Sequence, residues 1–214
     1  MEKDSFYKKG LRKKMVEVLR QNEELDPRVL DVMEELPRHY FVDTAFTEKV
    51  YSEGPFPIGS GQTISSPYTV AYQSTLLKVE SRQKILEIGT GSGYQAAVLS
   101  KLGARVYTLE RHEPLFKKAS SLLKELELTV RCYHRDGFKG LPEMAPFDGI
   151  LVTAGATEIP EKLKMQLREG GRLVIPVGIK RTQQMLVVTR LGPDDFRVEK
   201  YAHFRFVPFL KGKA

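Results

Sequence analysis

The chain has 214 residues, 41% of them hydrophobic and 29% charged, a composition typical of a folded protein large enough for one α/β domain. No apolar run approaches the ~18–20 residues of a membrane-spanning helix, and no apolar core of a signal peptide follows the basic N-terminal residues, so we expect a cytoplasmic protein. Cys132 is the only cysteine, which excludes an internal disulfide, and the four histidines lack metal-ligand spacing, so we expect no metal.

The net charge of +7 permits nucleic acid, a membrane surface or an acidic substrate as a partner. Much of the excess charge lies in segment 3–20 and in Lys211 and Lys213. Apolar residues recur at helical spacing in 3–20, which favours an amphipathic helix with a solvated basic face. We therefore expect no nucleic-acid and no membrane partner. We also expect a monomer.

Two helices are predicted in residues 5–36 from the same periodicity. The second begins at Asp26-Pro27, because aspartate is a good N-cap and proline fits the first helical turn, and Pro37 ends it. Residues 38–62, rich in glycine and proline, are predicted to be irregular.

A third helix is predicted over 67–79, with proline at its first position. Either Ser65 or Ser66 serves as its N-cap, since serine is strongly preferred there. The pattern alone does not decide between the two serines.

A glycine-rich turn between a predicted strand and a predicted helix is the most informative stretch. Residues 84–88 form an apolar run typical of a buried strand, and a helical pattern occupies 94–102. Between them lie Gly89, Thr90, Gly91, Ser92 and Gly93. Glycines permit positive φ and the close approach of a ligand, at which the amides of the following helix point.

The spacing of this turn excludes two common nucleotide sites. The third glycine of a dinucleotide site, G-x-G-x-x-G, would be residue 94, which is Tyr94. No Lys-Ser/Thr pair follows the glycines, so a P-loop is excluded as well. The pattern acidic-x-G-x-G-x-G, led by Glu87, resembles motif I of the class I S-adenosylmethionine-dependent methyltransferases, whose cofactor ends in an amino acid and carries no phosphate.

Acidic residues also follow the next two predicted strands. The strand at 105–109 leads to Glu110, and a carboxylate about 20 residues after the glycine turn suits two ribose hydroxyls and repels a 2′-phosphate. The strand at 128–133 leads to Asp136-Gly137. By resemblance to the class I methyltransferases Asp136 faces the adenine edge, and the alternative is a common Asp-Gly turn.

The rest of the pattern completes an alternation of strands and helices. The further elements are a strand at 147–152, a helix at 160–168 ended by Gly170-Gly171, a strand at 172–176, and a hairpin of strands at 184–189 and 196–204. Such alternation predicts a mainly parallel seven-stranded sheet with an antiparallel pair at one edge. The order of the last strands is left open.

A family resemblance rests on five segments. They read PIGSGQTISSPY at 57–68, LEIGTGSGY at 86–94, PFDGILVTA at 146–154, PVG at 176–178 and RFVP at 205–208. Together they are similar to the protein-L-isoaspartate O-methyltransferases of the bacterial type, from about residue 10 to the C-terminus. Residues 62–65 are the most specific part, because the whole superfamily shares the glycine turn. Arg135 departs from the family, which often has glycine before Asp136.

The resemblance implies a Rossmann-like class I methyltransferase fold of the α/β class, with three αβα layers and an N-terminal helical segment. It implies a single domain, 1–214, with helices and an active-site loop in 1–80, a cofactor-binding core in 81–180 and a C-terminal strand and substrate segment in 181–214. It also implies protein repair. A methyl group passes from S-adenosylmethionine to the free α-carboxylate of L-isoaspartyl residues in damaged proteins and peptides, and S-adenosylhomocysteine is released. The ester closes to a succinimide, which can reopen to aspartate.

The resemblance also assigns roles to residues. Ser65 is the active-site serine of the family, although the capping role stays open. The expected cofactor-binding residues are Thr63, Ile64, Glu87, Gly89, Thr90, Gly91, Ser92, Gly93, Tyr94, Glu110, Asp136 and Gly137. The expected substrate-binding residues are Ile58, Gly59, Gly61, Gln62, Arg205, Phe206, Val207 and Pro208.

The chemistry of this reaction matches the side chains available. A carboxylate is already an anion at pH 7, so it needs no general base to attack a sulfonium methyl. Ser65, Thr63 and loop amides can donate hydrogen bonds to it. Catalysis then rests on in-line positioning and on the exclusion of water.

Three alternatives remain on the sequence alone. Base N-methylation usually needs an Asp/Asn-Pro-Pro-aromatic motif after the fourth strand, which residues 152–156 lack, and Cys132 does not follow a proline as a cytosine C5 nucleophile would. A small-molecule O-methyltransferase would need a base or a metal for a hydroxyl, and neither is visible. A non-catalytic cofactor-binding protein is excluded only by turnover.

Overall fold

The computed structural model describes residues 4–179 and 181–214. The first two helices are α1 (Phe6–Leu19) and α2 (Pro27–Glu35). The side chains of Ser5 and Asp26 accept hydrogen bonds from amides in the first turns of α1 and α2, respectively. The residue before Pro37 is extended, because the proline ring disfavours helical geometry there. The two predicted helices are therefore confirmed.

The segment predicted to be irregular contains short regular elements. They are 3₁₀ turns at Arg38–Phe41, Thr44–Phe46 and Lys49–Tyr51 and an antiparallel hairpin of β1 (Phe56–Gly59) and β2 (Gln62–Ile64). Ser60 and Gly61 at the hairpin tip have φ of 52° and 66°, as a two-residue turn with the favoured twist requires. The prediction was wrong for the hairpin because strands of three or four residues are too short to show a period.

Helix α3 (Pro67–Leu77) follows the hairpin. The Ser66 side chain accepts a hydrogen bond from the Thr69 amide at 3.2 Å, which makes Ser66 the N-cap. Ser65 lies outside the helix and does not cap it.

The remaining elements form a sheet and its covering helices. They are β3 (Lys84–Ile88), α4 (Tyr94–Lys101), β4 (Arg105–Glu110), α5 (Glu113–Glu125), β5 (Val130–His134), β6 (Phe147–Val152), α6 (Glu161–Lys164), β7 (Leu167–Val177), β8 (Gln183–Arg190) and β9 (Phe196–Phe204). Within the described ranges, no helix has the length and apolar character needed to cross a membrane.

The seven strands lie in the order β5-β4-β3-β6-β7-β8-β9. The pairs from β5 to β7 are parallel, and β8 is antiparallel to both β7 and β9, so the predicted sheet is confirmed. The last three strands lie in chain order, because antiparallel neighbours can be joined by short connections. The carboxyl ends of β3, β4 and β6 share one edge at the point where the strand order reverses, the usual place for a ligand in such sheets.

The structure corrects the prediction between residues 160 and 172. Helix α6 ends at Lys164, and β7 begins at Leu167, where the expected helix should still continue. Leu167 pairs with Phe147, and a register shift follows because Gly170 adopts a φ of 75°. The glycine pair is thus part of an irregularity in a strand, which a local reading cannot distinguish from the end of a helix.

Side chains of the sheet fill two cores. Ile85 belongs to the core on the side of α1 to α5, and Leu86 belongs to the opposite core, as strand alternation requires. The second core is covered by α6 and by residues of 137–144, through Leu163 and Leu141. The molecule therefore has three αβα layers, and the second helical layer is thin.

Candidate active site

A cleft opens at the shared carboxyl edge of β3, β4 and β6. The segment between β2 and α3 and the residues after β9 form its other walls. The cleft contains about 840 Å³ of space between atoms, its open mouth included.

Most of the residues predicted for the site line this cleft. Those that do are Gln62, Thr63, Ile64, Ser65, Gly89, Thr90, Gly91, Ser92, Tyr94, Glu110, Gly137, Val207 and Pro208. Those that do not are Ile58, Gly59, Gly61, Glu87, Gly93, Asp136, Arg205 and Phe206. The cofactor and substrate segments expected from the sequence thus meet at one cleft, although they are far apart in the chain.

The turn after β3 is built so that its backbone forms the cleft wall. Gly89 has a φ of 98°, and a Cβ there would lie 2.4 Å from Oγ1 of Thr153. That oxygen donates a hydrogen bond to the carbonyl of Ile88 or of Gly89, at 3.0 and 2.8 Å. Any side chain at Gly89 would therefore strain the backbone and displace Thr153.

Glu110 at the end of β4 is held by the same turn. One carboxylate oxygen accepts the Gly91 amide at 2.8 Å, and the other accepts the His112 amide at 2.9 Å. Each oxygen keeps a second acceptor position, so the carboxylate can accept two more hydrogen bonds. A nearly buried carboxylate with two free acceptor positions at a cleft wall fits a ribose diol.

We expect Glu110→Gln to weaken S-adenosylmethionine binding about 10- to 100-fold, because a hydrogen bond to a charged group contributes about 1.5–3 kcal/mol. Isothermal titration calorimetry measures this change. Glu113→Gln is the matched control, since Glu113 pairs with Lys117 at the surface. Equal affinity of wild type and Glu110→Gln would remove Glu110 from the cofactor site.

Glu87 lies behind the cleft wall and has no exposed surface. One oxygen accepts a hydrogen bond from the Thr108 hydroxyl at 2.5 Å, and the Thr108 oxygen lies 2.7 Å from that of Thr90. The other carboxylate oxygen has no hydrogen-bond partner among the described residues. Glu87 therefore supports the glycine turn through Thr108 and Thr90 and does not reach the cleft surface.

We expect the charge of Glu87 to make stability depend on pH. Burial raises the pKa of Glu87 from 4.5 to about 8, against the hydrogen bond from Thr108, which lowers it. When the folded-state pKa of a group lies above its unfolded-state pKa, the stability that the group contributes is fully present below the unfolded-state pKa. This contribution is lost as the pH rises through the folded-state pKa. Relative to Glu87→Gln, the wild-type free energy of unfolding should fall by a few kcal/mol between about pH 5 and pH 9, at about 1.4 kcal/mol per unit. Urea denaturation at both pH values tests this, and parallel profiles would contradict it.

Ser65 lies on the wall of the cleft formed by the segment between β2 and α3. Its carbonyl accepts a hydrogen bond from Arg38 at 2.6 Å. Among the described residues its hydroxyl has no hydrogen-bond partner. Since Ser66 supplies the helix cap, the hydroxyl of Ser65 is available to a ligand.

Asp136, predicted to face the adenine edge, is not among the residues that line the cleft. Its side chain accepts the Phe138 amide at 3.0 Å and thereby caps the 3₁₀ turn Gly137–Lys139. Gly137 lines the cleft and has no room for a Cβ, which would lie 2.4 Å from Cγ2 of Ile88. Arg135, which stands where the family often has glycine, forms an ion pair with Glu143.

The tail after β9 reaches the cleft through backbone pairing. The amide of Gly155 donates to the Val207 carbonyl, and the amide of Phe209 donates to the Gly155 carbonyl, both at 2.8 Å. This pairing places Val207 and Pro208 beside the end of β6. Arg205 is exposed, and the Phe206 amide donates to the Gln183 side chain at 3.0 Å. Neither residue is among those that line the cleft.

Sequence reasoning missed several residues that line the cleft. They are Val70, Ile88, Gln95, Leu109, Arg111, His112, Arg135, Thr153, Ala154, Phe209 and Leu210. For Arg111, His112, Thr153 and Ala154 a signal existed, since each follows directly on a parallel strand whose carboxyl end meets this edge. No sequence signal could have placed Phe209, which reaches the site through its contacts with Phe138 and Gly155.

Comparisons with known proteins identify a family of methyltransferases to which this chain is similar. A sequence model of the family described as protein-L-isoaspartate(D-aspartate) O-methyltransferase matches residues 10–214. A protein-L-isoaspartate O-methyltransferase of Flavobacterium johnsoniae is 50% identical over 212 residues, which cover 99% of each chain.

Two solved structures share the fold. One, named protein-L-isoaspartate O-methyltransferase, has a TM-score of 0.81 at 26% identity and covers 92% of this chain and 65% of its own. The other, an enzyme of Plasmodium falciparum assigned the same name and solved with S-adenosyl-L-homocysteine, has a TM-score of 0.82 at 24% identity and covers 94% and 99%.

The family match spans nearly the whole chain, and the identity to the bacterial relative is 50%. The resemblance carried by the five sequence segments is thereby confirmed. The chain belongs to the protein-L-isoaspartate(D-aspartate) O-methyltransferase family.

Proposed function

We propose that this protein methylates the free α-carboxylate of L-isoaspartyl residues in damaged proteins and peptides, with S-adenosylmethionine as the methyl donor. The observation that carries the proposal is the position of Ser65. Ser65, whose hydroxyl has no hydrogen-bond partner among the described residues, lines the same cleft as the glycine turn and Glu110. A donor for a substrate carboxylate and a wall for the cofactor therefore belong to the same cleft.

The residues of one cleft wall fit S-adenosylmethionine. When bound, this molecule supplies an electrophilic methyl group on a sulfonium. Gly89 leaves no room for a Cβ, so the backbone itself is the contact surface. Glu110 would accept hydrogen bonds from the ribose hydroxyls, and Gly137 would leave space at the adenine side. Glu87 would act indirectly, through Thr90.

The opposite wall fits a carboxylate substrate. An isoaspartyl α-carboxylate is ionised at neutral pH, since carboxyl groups have pKa values of about 3–4, and so it needs no general base. The Ser65 hydroxyl donates a hydrogen bond to it without removing its charge, and Thr63 stands on the same wall. These donors hold the nucleophile in line with the methyl group, and the cleft walls exclude water.

The peptide chain of the substrate would lie across Gln62, Val207 and Pro208. Val207 is already paired through its backbone to Gly155. Contacts between the backbone of this segment and the backbone of the peptide would give loose sequence preference. Such a preference suits an enzyme whose substrates carry damaged residues in many different sequences. Arg205, Phe206 and the β1–β2 turn would contact residues of the peptide farther from the reacting carboxylate.

We propose further that the protein is a cytoplasmic monomer whose residues 1–214 form one domain, and that it binds neither nucleic acid nor membranes. Residues of α1 and α2 belong to the same hydrophobic core as Ile85 of β3, which supports a single domain. The single cysteine supports a reducing compartment.

The test is methyl transfer from labelled S-adenosylmethionine to a short peptide containing L-isoaspartate, with the same peptide containing aspartate as the control. We expect label only in the isoaspartyl peptide, and we expect it to be released as methanol in base. No label in either peptide, with cofactor binding intact by calorimetry, would overturn the repair function and leave the fold assignment standing.

A further inference from the structure

Arg38 is a buried arginine that the proposed mechanism has not yet used. It follows Pro37 and has no exposed surface. Its Nε donates to the Val50 carbonyl at 2.9 Å, and one Nη donates to the Ser65 carbonyl at 2.6 Å. Its guanidinium carbon lies 4.7 Å from the centre of the Tyr94 ring. The Arg38 side chain thus contacts Ser65 on one wall of the cleft and Tyr94 on the other.

Among the described residues Arg38 makes no hydrogen bond or ion pair with a carboxylate, and the charge of Glu53 acts on it only from a longer distance. Tyr94 does not neutralise it either, because burial raises the pKa of that phenol to about 12 and it stays protonated. Burial also lowers the pKa of Arg38. An apolar side chain of similar size would avoid the cost of burying a charge. Core stability therefore does not explain an arginine at this position.

The geometry of Ser65 shows what the arginine does. On its N-terminal side the chain is held by the pairing of Ile64 with Phe56 in the hairpin, and on its C-terminal side by the cap of Ser66. Between these two points the hydrogen bond from Arg38 is the contact that fixes the Ser65 carbonyl. Ser65 lines the cleft, and while Arg38 holds its carbonyl, its hydroxyl has no hydrogen-bond partner in the part of the chain that the structure describes.

The contact with Tyr94 ties this arrangement to the cofactor side. Tyr94 is the first residue of α4, directly after the glycine turn, and it lines the cleft. The planar guanidinium lies against its ring while donating to Ser65, so the distance between the two walls is set through one rigid group. In-line transfer is sensitive to that distance, since a misplacement of about 1 Å can reduce the rate about 100-fold.

We propose that Arg38 is a positioning residue for methyl transfer, which holds Ser65 at a set distance from the glycine turn through the Ser65 carbonyl and the Tyr94 ring. The inference rests on the proposed function. Arg38 does not touch the substrate or the methyl group, and its effect passes through Ser65.

The experiment compares Arg38→Met and Arg38→Lys with wild type. Arg190→Met is the matched control, because Arg190 also donates to backbone carbonyls, those of Leu167 and Gly192, but lies at the opposite edge of the sheet. We expect kcat on the isoaspartyl peptide to fall about 10- to 100-fold in Arg38→Met, with the Kd for S-adenosylmethionine changed less than about threefold. Arg38→Lys should recover only part of kcat, because an ammonium cannot replace the guanidinium fork. Arg190→Met should keep wild-type kcat.

Two further readouts separate positioning from general destabilisation. In the cofactor-free protein, amide hydrogen exchange of residues 62–68 should accelerate in Arg38→Met and not in Arg190→Met. In a Ser65→Ala background, Arg38→Met should reduce kcat by less than about threefold, because effects that pass through one group are not additive. Should Arg38→Met not fold, Arg38→Lys is assayed in the same way, with a fall in kcat and faster exchange expected.

An unchanged kcat in folded Arg38 variants of an active enzyme would overturn the inference. If Arg38→Met lowered kcat by the same factor in the wild-type and the Ser65→Ala backgrounds, Arg38 would not act through Ser65, and that part of the inference would be overturned. A wild-type protein that labels neither peptide would instead overturn the proposed function, and the exchange measurement on the cofactor-free protein would still report whether Arg38 holds Ser65.

Discussion

Gly89→Ala is expected to weaken S-adenosylmethionine binding about 100-fold or more. The backbone at Gly89 has a φ of 98°, where an alanine costs about 1–3 kcal/mol. The new Cβ would also lie 2.4 Å from Oγ1 of Thr153, so that side chain must move and lose its hydrogen bond to the turn. The glycine turn would then no longer present its backbone to the cofactor. Calorimetric titration with S-adenosylmethionine measures the loss.

Two variants show whether the close contact is the cause. Gly170→Ala places alanine at a similar positive φ, 75°, at the opposite edge of the sheet, with no atom nearer than 4.0 Å, and it should bind the cofactor normally. Thr153→Ala in the Gly89→Ala background removes the overlapping oxygen and should recover part of the affinity. Wild-type affinity of Gly89→Ala would contradict the assignment of this turn to the cofactor.

Ser65→Ala is expected to reduce kcat on an isoaspartyl peptide about 100-fold, while the Kd for S-adenosylmethionine changes less than about twofold. Without the Ser65 donor the substrate carboxylate would no longer be held in line with the methyl group, and a misplacement of about 1 Å can reduce the rate about 100-fold. The cofactor wall, formed by Gly89 and Glu110, is untouched by this change. Steady-state kinetics with the labelled cofactor measure kcat, and calorimetry measures cofactor affinity.

The neighbouring serine provides a matched control. Ser66→Ala removes the N-cap of α3, whose side chain accepts the Thr69 amide, so it should lower the free energy of unfolding by about 1 kcal/mol. Ser66→Ala should leave kcat near the wild-type value, because the Ser66 hydroxyl caps the helix. If Ser65→Ala retained full turnover while Ser66→Ala lost it, the roles assigned to the two serines would be reversed.

Much of the fold could be predicted from local pattern. The seven strands, the glycine turn and the antiparallel edge follow from strand-length apolar runs and from alternation, which need no long-range information. The predictions that failed depended on pairing partners. The β1–β2 hairpin is too short to show a period, and Gly170-Gly171 looks like a helix end until Leu167 is seen to pair with Phe147.

The candidate site divides in the same way. Residues that follow strand ends, such as Glu110, could be placed by the rule that parallel strands end at one edge. Asp136 obeys the same spacing, but its carboxylate accepts the Phe138 amide, a local hydrogen bond that competes with any contact in the cleft. Its role as a cofactor ligand stays a prediction.

By itself, the sequence determined the strand-turn-helix unit, the type of sheet and the family, because each is recognised from short continuous segments and their order along the chain. Only the tertiary structure decided which serine caps α3, that Arg38 lies beneath Ser65 and Tyr94, and that the tail after β9 closes the cleft through Gly155. The cap is a local contact that either of two adjacent serines could have made, whereas the other two features depend on contacts between segments separated by tens of residues. A local pattern carries no information about such contacts, since burial and hydrogen-bond partners are set only when the layers pack together.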